Sequence, residues 1–271
     1  MRRFSFIMLC VLALCSCTPK TKLVILHVND THSHFEALRG GELDGHGGCI
    51  ERAAFVDSVR LAEGAGKVLL LHAGDFGQGT SYFNRFGGEL EIDVLNSMKY
   101  DCVALGNHEF DNGIEDLCQR LKRLECPVVC ANLDLSQFEL GQVVEPYAIL
   151  ERGGMKIGII GAITDISTVV SKTISSRIRQ LDPVESINRW SEYLHKTEKC
   201  DMIILLSHMG YKEDQAVIPE TRYLDIVIGG HSHTYVKDFV WVEDADGKAV
   251  PITQDGGWGL QVGKVTVSGG C

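Results

Sequence analysis

Positive charge is what this sequence lacks most: 26 Lys and Arg stand against 36 Asp and Glu, a formal net charge of -10 over 271 residues. That excludes a general nucleic-acid surface, which needs a basic patch, and with it a nucleic-acid polymer as partner. A small phosphorylated substrate stays open, because bound divalent cations would invert the local charge. A bilayer-spanning run is missing too, since the apolar stretch Phe4 to Leu14 is too short to cross. Cys126 and Cys130 have no second cysteine pair to complete a structural zinc site. Linkers, repeats and low-complexity segments are absent. With 45% apolar residues and evenly spread glycine, one packed domain is expected over 23–271.

The first residues read as a targeting segment rather than part of the fold. Arg2-Arg3 is a basic n-region, Phe4 to Leu14 an apolar h-region, and the expected signal peptide covers 1–16. Leu14-Cys15-Ser16-Cys17 resembles a bacterial lipoprotein lipobox. Cys17 would then be lipidated and become the new N-terminus, with 17–22 a short anchor, attaching the protein to a membrane without spanning it. An ordinary secretory signal cleaved nearby is the alternative, and both export the chain. Seven cysteines follow Cys17, an odd number with several in apolar runs, so most are expected to be unpaired core residues.

What the sequence does have is metal-type chemistry at the ends of apolar strands. Cys102 to Leu105 reads as a buried strand, and Gly106 lets the backbone turn tightly into Asn107-His108-Glu109-Phe110-Asp111. Leu23 to Val28 is the first strand, followed by Asp30-Thr31-His32. With one residue between them in extended backbone, Asp30 and His32 would point to the same side. Val68 to Leu71 leads to Gly74-Asp75, Met202 to Leu206 to His208, and Leu224 to Ile228 to Gly230-His231-Ser232-His233. Open α/β sheets bind ligands at such strand ends. His231 and His233 could face one centre or two neighbouring ones. His27 reads as a core residue, His34 as a decoy, His46 as a loop residue, and His195 as a cap or surface residue.

Between these strands lie amphipathic helices over Ile50 to Leu61, Glu89 to Met98, Ile114 to Leu124 and Val184 to Lys196. Val128 to Ala131 is a short strand, and Tyr147 to Glu151 with Lys156 to Ile160 forms a hairpin. From Val236 to Val267 the Val-rich alternation predicts a closing antiparallel meander.

The candidate ligands are Asp30, His32, Asp75, Asn107, His208, His231 and His233. Mixed imidazole and oxygen donors suit Mn, Fe, Zn, Co or Ni. Seven ligands exceed what one ion needs. If Asp75 bridges, two divalent ions each receive four protein ligands and keep open positions, the standard device for displacement at phosphorus and for acidifying water. Asp111 can hold Nδ1 of His108, fixing its tautomer with the other nitrogen toward substrate. Asn107 and His108 are thus also the candidate substrate-binding pair, and His108 with Asp111 the catalytic pair.

Together Asp-x-His, Gly-Asp, Gly-Asn-His-Glu, a lone His and Gly-His-x-His resemble the calcineurin-like metallophosphoesterase superfamily. More closely, Asn29 to His32, Gly106 to Asp111 and Gly230 to His233 are similar to the N-terminal catalytic domain of bacterial 5′-nucleotidases, over roughly residues 23 to 267. The resemblance implies a four-layer α/β/β/α sandwich. It implies one metal on Asp30, His32, Asp75 and His233, the other on Asp75, Asn107, His208 and His231, and a His108–Asp111 dyad. The activity it implies is that of an exported two-metal phosphoesterase hydrolysing phosphomonoesters, nucleoside 5′-monophosphates first among them. Phosphodiesters, nucleotide sugars and sulfur esters are the alternatives on the same site, and a surface-displayed binding subunit is the alternative of another class. Full-length 5′-nucleotidases also carry a C-terminal domain that stacks the base between aromatics. No residue here can be carried over for that role; Tyr82, Phe83 and Arg85 are explained by packing and exposure. Either a separately encoded nucleotide-recognition subunit or broad substrate selection is therefore expected.

Overall fold

The computed structural model describes residues 22–268. The expected signal peptide, Cys17 and Cys271 lie outside them. The chain first lays down β1 (Lys22–Val28), β2 (Val68–His72), β3 (Cys102–Ala104), β4 (Val128–Val129) and β5 (Val144–Glu145), neighbours in that order and all parallel. It then crosses to a second sheet through the hairpin β6 (Tyr147–Arg152) and β7 (Met155–Ile163). The strands β8 (Met202–His208) and β9 (Ile226–Ile228) add to β7 in parallel. A second hairpin, β10 (Val240–Glu243) and β11 (Ala249–Thr253), extends that sheet through β11 beside β9. β12 (Gly263–Ser268) returns to the first sheet, antiparallel to β1.

The expected closing meander is therefore divided. β10 and β11 belong to the second sheet and β12 to the first. Val-rich alternation reports that one face is buried, and it does so equally well in either sheet.

Successive side chains of each central strand alternate between two buried faces, which sets out four layers. Leu23, Ile25, Leu69, Leu71, Ile204, Leu206, Ile226 and Ile228 meet between the two sheets. Their neighbours Val24, Leu26, Val68 and Leu70 turn the other way, against helices α1 (Cys49–Glu63), α3 (Glu89–Ser97) and α4 (Ile114–Leu121). The short α2 (Ser81–Phe86) precedes α3. On the opposite outer face Ile203, Leu205 and Val227 pack with α5 (Pro183–Lys196) and α6 (Tyr211–Val217). Strands covered on both faces need unbroken apolar runs, which is why these read so clearly. Helix α5 begins where Asp182 accepts the Glu185 N–H at 2.8 Å and Pro183 presets the first turn.

Some boundaries and faces differ from expectation. α4 ends three residues early at Leu121, and β4 stops at Val129. On α1, Ile50 is 77% exposed, while Arg52, Val56 and Val59 face inward. The six described cysteines are unpaired; Cys102 on β3 and Cys130 directly after β4 are buried as expected, and Cys118 is buried on α4. Among the described residues no helix is long and apolar enough to cross a membrane.

Candidate metal centre

The C-terminal ends of the parallel strands of both sheets meet at one edge of the sandwich. Asp30 and His32 follow β1, Asp75 follows β2, Asn107 and His108 follow β3, His208 ends β8, and His231 and His233 follow β9. From the second sheet, His208 Nε2 comes within 3.0 Å of Asp75 Oδ2 in the first. His233 Nε2 lies 3.3 Å from Asp30 Oδ1 and 2.9 Å from His32 Nε2. Three overlapping groups result: Asp30, His32 and His233; His32, Asp75 and His108; and Asp75, His208 and His231. His231 and His233 thus fall in different groups.

Local backbone is bent to do this. Asp30, His32, Asp75, His231 and His233 all have left-handed φ, between 45° and 71°. The extended dipeptide expected for Asp30 and His32 is therefore wrong: their φ values are 49° and 45°. Such residues persist only where surroundings over-determine them, and they gather at functional sites. Here the surroundings are specific. Asp30 N–H donates to Gly74 O at 3.0 Å, and Asp30 Oδ2 accepts from Asn29 Nδ2 at 2.6 Å and from His231 N at 2.9 Å. Gly106 has an ordinary φ, so its role is close approach and not a tight turn. A Cβ there would sit 2.2 Å from Asp75 Oδ1.

The imidazoles are oriented from behind. His208 Nδ1 donates to Ala73 O at 2.6 Å and His32 Nδ1 to Gln78 O at 3.1 Å, which turns each Nε2 toward the carboxylates. His108 Nδ1 is 2.9 Å from Asp111 Oδ2, and its ring lies edge-on to His32 with centroids 5.3 Å apart. The Asp111 hydrogen bond raises His108 above the ordinary histidine value. Burial works to lower His208, but the adjacent Asp75 carboxylate wins and lifts it to about 10. Asp75 is lowered in turn: burial opposes its ionisation and His208 outweighs that.

The sequence alone assigns Glu109 no role. It is fully buried, and its two oxygens accept four backbone N–H groups. Oε2 takes Asp75 N at 2.9 Å and Gly106 N at 2.7 Å; Oε1 takes Phe76 N at 3.0 Å and Gly77 N at 3.1 Å. Burial and the Asp75 charge push Glu109 up to about 7 while the amides pull it down. Each oxygen already faces two donors, so the loops are built around the carboxylate form. Its only signal in the sequence is a carboxylate wedged between His108 and Phe110.

The donor set fits divalent cations. Oxygen and imidazole nitrogen converge without thiolates. Asn107 Oδ1 is buried with no hydrogen-bond partner, and His208 Nε2 makes no well-angled one. The cleft above measures about 550 Å³ and is lined by His32, Asp75, Asn107, His108, His231 and His233. A slightly larger cavity of about 600 Å³ opens beside His27 and Lys264, but it contains none of the three groups and is set aside. His27 is core, its Nδ1 2.7 Å from Asp255 Oδ2. Exposed His46 and His195 lie outside the cleft, the latter stacked on Tyr223. His34 does line the cleft, stacked on Trp258, and nothing in the sequence marks either residue for substrate.

A two-sheet sandwich with histidines and carboxylates gathered at its strand ends defines a metallophosphoesterase class of fold. The calcineurin-like phosphoesterase family model matches residues 23–235, and the chain belongs to that family. It is 33% identical over 270 residues to the snake venom 5′-nucleotidase of Naja atra, covering 91% of this chain and 50% of that protein. To the Homo sapiens 5′-nucleotidase it is 30% identical over 270 residues, covering 91% and 46%. The structure of a 5′-nucleotidase precursor from Thermus thermophilus superposes with a TM-score of 0.83 at 35% identity, over 91% of this chain and 51% of that one. The chain spans about half the length of the curated relatives it matches.

Proposed function

We propose that this protein is a metal-dependent phosphomonoesterase acting on nucleoside 5′-monophosphates. The observation that carries the reading is a run of three overlapping groups, linked first through His32 and then through the carboxylate of Asp75, beneath an open cleft rimmed by His108. Asp30, His32, Asp75 and His233 would hold one divalent cation, and Asp75, Asn107, His208 and His231 a second. When bound, the cations withdraw charge from a phosphoryl group and make water acidic enough to act near neutral pH. The chain's own residues do the rest. Ala73 O and Gln78 O hold His208 and His32 in the one tautomer that can ligate. Asp111 occupies Nδ1 of His108, leaving Nε2 to give its proton to the leaving oxygen as the P–O bond breaks. A nucleoside and inorganic phosphate are the products, with one water consumed.

Similarity to 5′-nucleotidases of 30–33% identity supports the choice of nucleotide monoesters. The deciding experiment measures initial rates on AMP, bis-p-nitrophenyl phosphate and UDP-glucose with Mn-reconstituted protein and a His108→Ala control. The reading requires AMP to be turned over fastest and that rate to fall on losing His108. Faster diester or nucleotide-sugar cleavage would replace it. We also propose export with acylation at Cys17; palmitate label retained in Cys17→Ser would refute the anchor. Discrimination among bases by a separate subunit is the complementary proposal, and a lone native monomer with strong selectivity for one base would remove it.

A further inference from the structure

Trp258 occupies an unusual position for a large apolar side chain. It is 42% exposed, and its φ of 61° is a left-handed backbone that bulky residues avoid. The strain is held in place by the metal loops. Trp258 N–H donates to Asp30 O at 2.6 Å, and a Cβ on the preceding Gly257 would lie 2.9 Å from His233 Nδ1. One side of the indole stacks on His34, with centroids 5.3 Å apart and planes at 21°. His34 is itself pinned by Nδ1 donating to His32 O at 2.9 Å. The ring is thus mounted on the loops that carry Asp30, His32 and His233.

What the mounted ring faces is open space next to the reacting centre. Trp258 and His233 wall the metal cleft, and the same two residues wall an adjoining recess of about 310 Å³ bounded by Tyr235, Leu260 and Gln261. That volume is at the small end of ligand sites, suited to a compact ring system.

We propose that Trp258 is the stacking platform for a flat heteroaromatic leaving group, the far edge of which enters the recess while its phosphate lies over the clusters. The inference rests on the phosphomonoesterase reading and gives it a specificity rule. Stacking tolerates any base because every base has a π face, so nucleotides are preferred over sugar phosphates with little choice among bases.

The test compares kcat/KM for AMP, UMP and ribose 5-phosphate in wild type, Trp258→Phe and Trp258→Asn, asparagine being a residue that accepts positive φ. The preference for AMP and UMP over ribose 5-phosphate should fall about 5- to 20-fold in Trp258→Asn, through KM. That is the lower part of the range for base–aromatic stacking, since His34 takes one face. Trp258→Phe should retain most of the preference. Equal losses on all three substrates, or none, would overturn the platform while leaving the phosphatase standing. A second arm follows tryptophan fluorescence on adding adenosine, with Trp190 and Trp241 as the remaining fluorophores. Quenching that disappears in Trp258→Phe supports the platform, and identical quenching in both proteins refutes it. This arm decides the matter even if no phosphate is released from any substrate, an outcome that would refute the phosphatase reading alone.

Discussion

Replacing Glu109 with glutamine is the most demanding perturbation of this account, because it is isosteric and replaces no candidate ligand. The carboxylate accepts Asp75 N and Gly106 N on one oxygen, and Phe76 N and Gly77 N on the other. An amide can turn its oxygen toward only one of those pairs. Whichever way it turns, an NH₂ group faces two buried N–H donors. Two charge-assisted hydrogen bonds are lost at about 1.5–3 kcal/mol each, or roughly 3–6 kcal/mol in all before relaxation. The loss falls on the loop carrying Asp75 and on Gly106, which needs contact with Asp75. Metal affinity should therefore weaken by at least about 10- to 100-fold, the usual effect of removing outer-shell support. Chelator competition with Mn measures the affinity, and urea unfolding of the metal-free protein measures the stability. Wild-type affinity together with wild-type stability in Glu109→Gln would show that Glu109 is protonated in the folded protein and that the amide cradle argument is wrong.

Two further outcomes follow from neighbouring groups. Asp214 is fully buried; its Oδ1 accepts from Ser207 Oγ, its Oδ2 has no partner, and burial pushes it up to about 7. A carboxylate raised in the folded state favours folding while protonated, so its contribution is complete below about 4, the unfolded value, and is lost as pH rises toward 7. Asp214→Asn should accordingly gain stability over wild type between pH 5 and pH 8, by about 1–4 kcal/mol, and equal pH slopes in thermal melts would contradict this. Asp111→Asn removes the hydrogen bond that raises His108, so the alkaline limb of the pH–rate profile should move to lower pH. Its kcat should fall about 10- to 100-fold, and an unshifted limb would exclude His108 as the proton donor.

The candidate ligands were legible because each follows directly on an apolar strand, where β1, β2, β3, β8 and β9 end. Chemistry and geometry are adjacent in sequence at those points. Glu109 was not legible, because three of its four donors are 32 to 34 residues away and only the fold brings them in. The left-handed backbone at Asp30 and His32 left no trace either, since neither residue type forbids an extended dipeptide. Trp258 sits in a glycine-rich stretch that reads as a turn, and its position over the cleft depends on a backbone bond to Asp30, 228 residues earlier in the chain. Alternation located β10, β11 and β12 as strands but carried no information on which sheet each would join.

The shared carboxylate is the centre of the account, and Asp75→Asn tests it most directly. Protein stripped with chelator is titrated with Mn while phosphate release from AMP is followed, for wild type and for the variant. The account predicts no release without metal, saturable activation in wild type, and at least about a 100-fold lower rate in Asp75→Asn at the same metal, the scale of losing one electrostatic group at a reacting centre. Release that persists without metal, or an Asp75→Asn protein activated as well as wild type, would contradict it.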